Sequence, residues 1–238
     1  MSSISLSSQN EEFVSRRIFQ HLPFIRDVNV SLFDRHDTER REIENYIHTK
    51  FHNRYAANIY NYLPNLLTLS YREKLCAAVG IRPAESGALF LEQYLSHSIE
   101  QEIGNQLKTE IKRDNIVEIG NLVSTWRGSS QLLFLCLTHL LFNANREWVV
   151  FTATGEVNKL LGKLKFSPIH IADAAVDKIR NDPSQWGNYY EEQPKVMLGY
   201  VPEAMEILNN NTLMSSSLSL FSEQLENITT KWNLVNEQ

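Results

Sequence analysis

The segment DNIVEIGNLVSTWRGSSQ, residues 114–131, places one acidic side chain, Glu118, inside a run of β-branched residues. A carboxylate in such a run is costly to bury unless it is paired or used in chemistry. Farther along, Arg127, Gly128 and Ser129 come directly before an apolar run that suits a helix. The first turn of a helix offers unpaired N–H groups and a positive dipole end to anions, and arginine suits phosphate. The segment therefore contains two features of interest. One is an acid that must be paired or used in chemistry, and the other is a candidate anion-binding turn.

The turn itself has two interpretations. A Gly-Ser-Ser turn before a helix is most often a cap, and either Ser129 or Ser130 could supply it. Gly128 also allows close backbone approach, so a pyrophosphate of coenzyme A or the phosphopantetheine of a carrier protein would fit there. The spacing alone leaves both interpretations open.

Strand alternation predicts where the side chains of this segment point. In a strand, Val117, Ile119 and Asn121 share one face, while Glu118 and Leu122 share the other. We therefore expect Glu118 and Asn121 to point away from each other, so that they need not share one role.

The elements that must hold this segment follow from hydrophobic periodicity. Strands are predicted at residues 115–123, 147–154, 166–172 and 195–201, with helices between the first three. Such alternation implies parallel strands joined by right-handed crossovers. The second half of the chain is therefore predicted to consist of parallel βαβ units.

The residue patterns in the first half of the chain predict an antiparallel part of the same sheet. A strand is predicted at 28–33, followed by a helix that Asp37 is placed to cap. The runs NLLTLSY and KLCAAVGIRPA are predicted as strands joined by the turn REK. A charged helix, SIEQEIGNQLKTEIKR, leads into the central segment. The predicted fold class is α/β, with a mixed central sheet and flanking helices.

The sequence predicts one main domain between polar ends. We expect a polar leader and short N-terminal segment over residues 1–25, the domain over 26–203, and a linker followed by a helix over 204–238. The linker is assigned to residues 209–218 because asparagine and serine dominate that stretch.

The composition is that of an ordinary globular protein. With 238 residues, 42% hydrophobic and 21% charged, the chain is long enough to bury a sizeable core. The net charge of -5 gives no general basis for nucleic-acid binding, although a total charge does not rule out a local basic patch. No secretory signal is visible, and no apolar run approaches the roughly 20 residues that span a bilayer. Cys76 and Cys136 lie in apolar runs, which suits buried, reduced thiols and predicts a cytoplasmic location.

A resemblance to a known family rests on four motifs, RDNIVEIGNLVS, ALFLEQYLSHSIE, WVVFTATGEVNKLLGKL and WGNYYEEQPKVMLG. Together they resemble the thermostable hemolysin family of bacterial proteins over about residues 30–201. Those proteins are similar to acyl-homoserine-lactone synthases and, more distantly, to the GNAT superfamily of acyl-CoA N-acyltransferases. The resemblance implies a central sheet of the acyl-CoA N-acyltransferase, or autoinducer synthase-like, type.

The resemblance also implies a donor site over residues 115–131. In that superfamily the strand before the first crossover helix splays from its neighbour, and the following turn binds the pantetheine pyrophosphate through backbone amides. Here WRGSSQ supplies one glycine where the acetyltransferase pattern has two positions for small residues, which argues against acetyl-CoA as the donor. The implied donor-binding residues are Val123, Arg127, Gly128, Ser129 and Ser130.

Two catalytic roles are implied in the same way. Glu118 resembles an acid on the corresponding strand of the acyl-homoserine-lactone synthases, where it would orient an amine or deprotonate it through water. Tyr189 or Tyr190 could then protonate the departing thiolate. The alternative for Glu118 is a structural acid paired with Arg82, Arg113 or a backbone N–H.

The substrate side of the predicted site draws on several segments. An acid in LFLEQYL, Glu92, either binds an amine substrate or fixes the loop after the strand pair. The predicted substrate-binding residues are Arg82, Glu92, Asn121, Trp126, Thr152 and Trp186. No metal site is predicted, because His48 and His52 lie one helical turn apart without a third ligand nearby.

The sequence thus predicts an N-acyltransferase that moves an acyl group from an acyl-CoA or acyl-carrier-protein thioester to a small amine. Its partners would be the thioester donor, with an acyl carrier protein as one form of it, and the amine acceptor, with no permanently bound cofactor. Two alternatives stay open. One is a membrane-active hemolysin, and the other is a catalytically silent protein that binds acyl carriers.

Overall fold

A mixed seven-stranded sheet is the centre of the computed structural model, which describes residues 27–125, 128–180 and 182–236. The strands are β1 (Val28–Phe33), β2 (Asn65–Tyr71), β3 (Lys74–Pro83), β4 (Ile116–Ser124), β5 (Trp148–Ala153), β6 (Ile169–Asp173) and β7 (Lys195–Tyr200). Their order across the sheet is β1-β2-β3-β4-β5-β7-β6. The predicted α/β class with a mixed sheet is confirmed.

Helices cover both faces of this sheet. They are α1 (Arg40–Tyr55), α2 (Ile99–Leu107), α3 (Ser129–Asn143), α4 (Gly155–Lys163), α5 (Val201–Asn209), α6 (Thr212–Ser219) and α7 (Ser222–Asn236). Helices α1 and α2 pack on one face. Helix α3 packs on the other face and is itself covered by the C-terminal helices, which explains why it is apolar all round.

The parallel part of the sheet is smaller than the sequence predicted. Strands β4 and β5 form a hydrogen-bonded parallel pair. Strand β7 lies between β5 and β6 and is antiparallel to both. Strands β5 and β6 therefore run in the same direction, as the crossover predicts, but they are not neighbours.

The stretch predicted as a linker, residues 209–218, is mostly helical. The side chain of Asn211 caps helix α6 by accepting hydrogen bonds of 3.2 Å from the backbone N–H groups of Leu213 and Met214. Met214 and Leu218, four positions apart, are buried in the main core. The linker prediction was wrong because Asn211 serves as a cap and the serines lie within the helix, where the buried Ser217 hydroxyl donates to the backbone oxygen of Leu213 at 2.7 Å.

The predicted cap of the first helix was also wrong. The residue before α1 is Glu39, which makes no side-chain cap bond. The carboxylate of Asp37 instead accepts hydrogen bonds from the backbone N–H of Asp34 at 2.6 Å and from Lys231 Nζ at 2.7 Å. Asp37 therefore ties the start of α1 to helix α7.

Strands β4 and β5 separate after one last pair, Ile119 and Phe151. Strand β4 continues beside β3, with a bulge in which Asn121 and Leu122 lie opposite Val79 alone. The bulge places Asn121 at a φ of 52°, in the left-handed region. The separation opens a gap in the middle of the sheet.

Candidate active site

A cavity of about 480 Å³ lies at the gap between β4 and β5. Its walls include Glu118 and Thr152 on the face that carries α1 and α2. They also include Phe134 from α3 and Val157 from α4, on the opposite face. The cavity therefore passes through the sheet where hydrogen bonding between the two strands stops.

Glu118 lies in the cavity wall and is only 3% exposed. Its two oxygens accept hydrogen bonds from the backbone N–H groups of Leu91 at 2.8 Å and Phe90 at 3.1 Å. Arg82 Nη1 lies 3.8 Å from the same carboxylate, whereas Arg113 pairs elsewhere. Burial raises the pKa of Glu118, and the two N–H groups and the Arg82 guanidinium offset part of that rise.

Glu92 holds the loop that covers the cavity. Its oxygens accept hydrogen bonds from the backbone N–H groups of Leu89 at 2.8 Å and Ile99 at 3.0 Å, and from Arg113 Nη1 at 2.6 Å. Burial opposes its ionisation, but these bonds outweigh burial and hold the pKa of Glu92 below its usual value. Glu92 is not among the described residues that line the cavity. The geometry therefore favours the loop-fixing role over amine binding.

Asn121 shapes a wall of the cavity. Its Oδ1 accepts a hydrogen bond from the backbone N–H of Leu63 at 3.0 Å, and its Nδ2 donates to the backbone oxygen of Asn61 at 3.3 Å. Both partners line the cavity, as does Asn121 itself. The amide therefore fixes the segment that leads from α1 into β2.

Two glycines make room for that segment. Gly80 and Gly120 face each other across β3 and β4, and a Cβ on Gly80 would lie 2.8 Å from Leu63 Cβ and 2.9 Å from Asn121 Oδ1. Gly120 and Glu118 share a face of β4, so the amide of Asn121 lies over that same face. The prediction that Glu118 and Asn121 point apart was wrong, because the bulge interrupts the alternation.

The aromatic loop before β7 contributes one of its two tyrosines to the cavity. Tyr189 lines the cavity, and its hydroxyl donates to Thr152 Oγ1 at 3.4 Å. The hydroxyl of Tyr190 bonds to that of Tyr94 instead, and neither of these two is among the described lining residues. Burial raises the pKa of Tyr189 and raises that of Tyr190 to about 12, so both phenols are protonated near neutral pH. Trp186, from the same loop, also lines the cavity.

A glycine fixes this loop against the end of α1. Gly187 has a φ of 54°, and a Cβ there would lie 2.0 Å from the backbone oxygen of Tyr55. That oxygen accepts a 2.9 Å hydrogen bond from the N–H of Asn188, and Asn58 donates to the oxygen of Gln185 at 2.7 Å. The backbone of the loop and that of the end of α1 are in direct contact, so there is no room for a side chain at position 187.

The turn predicted to bind the donor comes later in the sequence than the part of β4 that lines the cavity. Gly128, with a φ of 98°, is the residue that precedes α3, so neither predicted serine cap is formed. Ser130 Oγ lies 2.6 Å from Ser124 Oγ, and Ser129 is buried. None of Gly128, Ser129, Ser130 and Val123 is among the described residues that line the cavity. Arg127 lies outside the described residues.

The predicted substrate residues divide into three groups. Four of them line the cavity, namely Arg82, Asn121, Thr152 and Trp186. Glu92 supports the cover instead, and Trp126 lies outside the described residues.

The sequence model of thermostable hemolysin matches residues 33–205, well over half of the chain. The chain belongs to the thermostable hemolysin family. No curated protein matches the sequence significantly. Within the described part of this family member, no helix is both long enough and apolar enough to cross a membrane.

Solved structures similar to this hemolysin-family chain share its sheet. The CoA-dependent acyl-homoserine lactone synthase BjaI, with SAM and isopentyl-CoA, has a TM-score of 0.51 at 8% identity, covering 77% of this chain and 88% of its own. FeeM, an N-acyl amino acid synthase from uncultured soil microbes, has a TM-score of 0.50 at 12% identity, covering 75% and 94%. The AHL synthase LasI has 0.50 at 11%, covering 73% and 90%. At such identities the similarity shows the fold, which is autoinducer synthase-like.

Several cavity residues of the hemolysin-family chain were missed by sequence reasoning. They are Arg35, Tyr55, Asn61, Tyr62 and Thr154. The run NIYNYLP, which supplies two of them, mixes aromatic and amide side chains before a proline, and that composition could have marked it as a recognition loop.

The thiols and the histidine pair stay outside the chemistry of this site. Cys76 and Cys136 are buried and unpaired with each other, and burial raises their pKa values to about 11 and about 12. Such thiols are poor nucleophiles near neutral pH.

The rings of His48 and His52 stack with 6.1 Å between centroids. No group of three potential metal ligands occurs among the residues that the structure describes.

Proposed function

We propose that this protein is an N-acyltransferase that moves an acyl group from an acyl-CoA or acyl-carrier-protein thioester to a small amine. One observation carries the proposal. The cavity passes through the sheet at the gap between β4 and β5, and Glu118 is the one carboxylate among its described lining residues. A buried acid with a raised pKa, in a cavity, is a candidate for proton transfer.

The reaction needs few protein groups. An ammonium must lose a proton before its nitrogen can attack the thioester carbonyl. Each Glu118 oxygen already accepts one hydrogen bond and keeps a second lone pair, with which it can take a proton from the amine or from an intervening water. The new N–C bond then replaces the C–S bond directly, without a covalent enzyme intermediate.

The departing thiolate also needs a proton. Tyr189 lines the same cavity, and its raised pKa keeps its hydroxyl protonated near neutral pH. As the C–S bond breaks, this hydroxyl gives its proton to the thiolate, and the phenolate takes up the proton that the amide nitrogen loses. Tyr190 is directed to Tyr94 outside the cavity wall. Between the two tyrosines, the geometry supports Tyr189 as the acid.

The gap between the strands suits a pantetheine arm. Beyond Ile119, strand β4 pairs with no described residue on its β5 side, so its backbone groups can bond to the amides of the arm. The N-terminus of the 15-residue helix α3 follows and can bind phosphate. Both substrates would bind and be released in each turnover, with no permanently bound cofactor. Because acyl thioesters are supplied in the cytoplasm, we expect the protein to act there.

The test uses the full chain with acyl-CoA and acyl-carrier-protein thioesters and a pool of small amines. Mass spectrometry would follow loss of the thioester and appearance of a new amide. An amide formed only with protein present supports the proposal and identifies the donor. Thioester binding without turnover would leave a silent carrier-binding protein. Lysis of erythrocytes by the protein alone, without any turnover, would favour a membrane-active hemolysin.

A further inference from the structure

One arginine, Arg113, holds both ends of the loop that covers the cavity. We call that loop, residues 84–94, the cover loop. Near its start, Arg113 Nε donates to the backbone oxygen of Ala84 at 2.8 Å, and Arg113 Nη2 donates to that of Gly87 at 2.8 Å. Near its end, Arg113 Nη1 and Nη2 donate to the two oxygens of Glu92 at 2.6 Å and 3.0 Å. The planar guanidinium therefore spans the cover loop.

The position of Arg113 in the chain links the cover loop to the acid in the cavity. Arg113 lies just before Ile116, the first residue of β4, and Glu118 belongs to the same strand. Glu118 accepts its two hydrogen bonds from the N–H groups of Phe90 and Leu91, between the two places that Arg113 holds. The cover loop is thus attached to one strand twice, and a movement at Arg113 would redirect the N–H groups that meet Glu118.

Further contacts keep the Arg113 side chain in place. Its Nη1 also donates to Glu100 Oε2 of α2 at 2.6 Å, and these two side chains are 26% and 28% exposed. The hydrogen bonds to Glu92 raise the pKa of Arg113, so it stays charged over the whole range in which carboxylates titrate. A charged planar group with bidentate partners is a rigid support for the segments that it joins.

We propose that Arg113 is a positioning residue for acyl transfer, because it holds the cover loop where the N–H groups of Phe90 and Leu91 reach the Glu118 carboxylate. This inference rests on the proposed acyltransferase function, in which Glu118 takes a proton from the amine. A carboxylate that accepts backbone N–H bonds is stabilised in its charged form. Without the guanidinium of Arg113 these bonds weaken, and Glu118 keeps its proton up to a higher pH.

Other charged or titratable groups near Glu118 have to be considered in a titration. Arg82 of β3 lies 3.8 Å away and favours the charged form, whereas the charge of Glu92 in the cover loop opposes it. Hydrogen bonds outweigh burial and hold the pKa of Glu92 low, and burial raises the pKa of Tyr94, also in the cover loop. The partner on β5, Val150, carries no charge. Among these groups, therefore, Glu118 is the one that changes its charge as pH rises through its own pKa.

The test removes the planar fork of Arg113 but keeps a positive charge. Arg113→Lys does this, because a lysine ammonium is a compact point charge that cannot reproduce the bidentate bonds. Arg40→Lys is the matched control. Arg40 also donates to two backbone oxygens and a carboxylate, those of Leu63, Pro64 and Glu44, at a different wall of the cavity.

The measurement is an NMR titration of the Leu91 amide proton, whose chemical shift follows the ionisation of the carboxylate to which it bonds. We expect the midpoint to lie about one pH unit higher in Arg113→Lys than in the parent protein, and to be unchanged in Arg40→Lys. Glu100→Gln weakens one bond of Arg113 without touching the cover loop, and should give a smaller shift in the same direction. This second variant serves as the test if Arg113→Lys does not fold.

The titration needs no substrate, so it separates this inference from the proposed function. An unchanged midpoint in the Arg113 and Glu100 variants, or an equal shift in Arg40→Lys, would overturn the inference. In an active enzyme the inflection in kcat/KM must move with the amide midpoint, and an unmoved inflection would overturn the inference but leave the proposed function standing. If the parent protein forms no amide at all, the proposed function fails, while a shifted Leu91 titration still supports Arg113 as the residue that positions Glu118.

Discussion

Glu118 Oε1 accepts a 2.8 Å hydrogen bond from the backbone N–H of Leu91, although the two residues are 27 positions apart in the chain. This bond joins strand β4 to the loop that covers the cavity, and the other oxygen makes a second bond to the same loop. One side chain therefore both faces the cavity and fixes its cover. A loss of activity on changing Glu118 has to be separated from a loss of structure.

The pH dependence of acyl transfer is the first prediction. Burial raises the pKa of Glu118 above the ordinary value of 4.5, and a base must be deprotonated to act. We expect kcat/KM to rise as pH increases through that raised pKa, and this inflection to be absent from the residual activity of Glu118→Gln. Initial rates over a pH series would measure it. An inflection that is unchanged in the variant would assign it to another group.

The pH dependence of stability is expected to have opposite signs at Glu92 and Glu118. The pKa of Glu92 is lowered, so its contribution to folding is present above its unfolded pKa and is lost as pH falls through its folded pKa. Glu92→Gln should cost about 1–3 kcal/mol at neutral pH, and this cost should shrink on acidification. The pKa of Glu118 is raised, so its contribution is present at low pH and is lost as pH rises. Urea unfolding of both variants across pH would show the two trends, and parallel trends would contradict the assignment.

The two neighbouring tyrosines should behave differently. Tyr189→Phe removes the hydroxyl that faces the cavity and should lower kcat about a hundredfold, a typical contribution of a general acid. Tyr190→Phe removes a hydrogen bond to Tyr94 and should cost about 1 kcal/mol of stability with little change in kcat. Steady-state kinetics beside urea unfolding would distinguish them. A larger kinetic loss in Tyr190→Phe would reverse the assignment.

Gly187→Ala should destabilise the aromatic loop. The new Cβ would lie 2.0 Å from the Tyr55 oxygen, at a φ of 54°, so one backbone must move. The expected loss is at least about 2 kcal/mol in the free energy of unfolding. Gly162→Ala is the matched control, because nothing lies within 4 Å of its Cβ and alanine favours a helix. Similar unfolding free energies for the two variants would show that the loop is not held at position 187.

Much of the fold could be predicted from local patterns. The alternation in VNVSLF and the apolar run around Glu118 gave two strands, β1 and β4, within one residue of their observed bounds. The apolar residues of α3 gave a buried helix, and it is buried. These elements were predictable because their periodicity reflects burial that the finished fold retains.

The remaining features depend on contacts that are distant in sequence. The bulge that turns Asn121 toward the Glu118 face arises from the register between β3 and β4, which alternation along one strand does not encode. The N–H donors of Phe90 and Leu91 come from backbone conformation, so their side-chain types carried no signal of the bond. Similarly, the carboxylate of Asp37 accepts a hydrogen bond from Lys231 of α7 instead of capping its own helix.

The most direct test of the central claim compares acyl transfer by Glu118→Gln and Glu92→Gln. Both carboxylates accept two backbone N–H bonds and lie near an arginine, but of the two only Glu118 lines the cavity. We predict that Glu118→Gln slows amide formation at least a hundredfold per folded molecule, while Glu92→Gln stays within threefold of the parent protein. Equal rates for Glu118→Gln and the parent, or equal losses in the two variants, would contradict it.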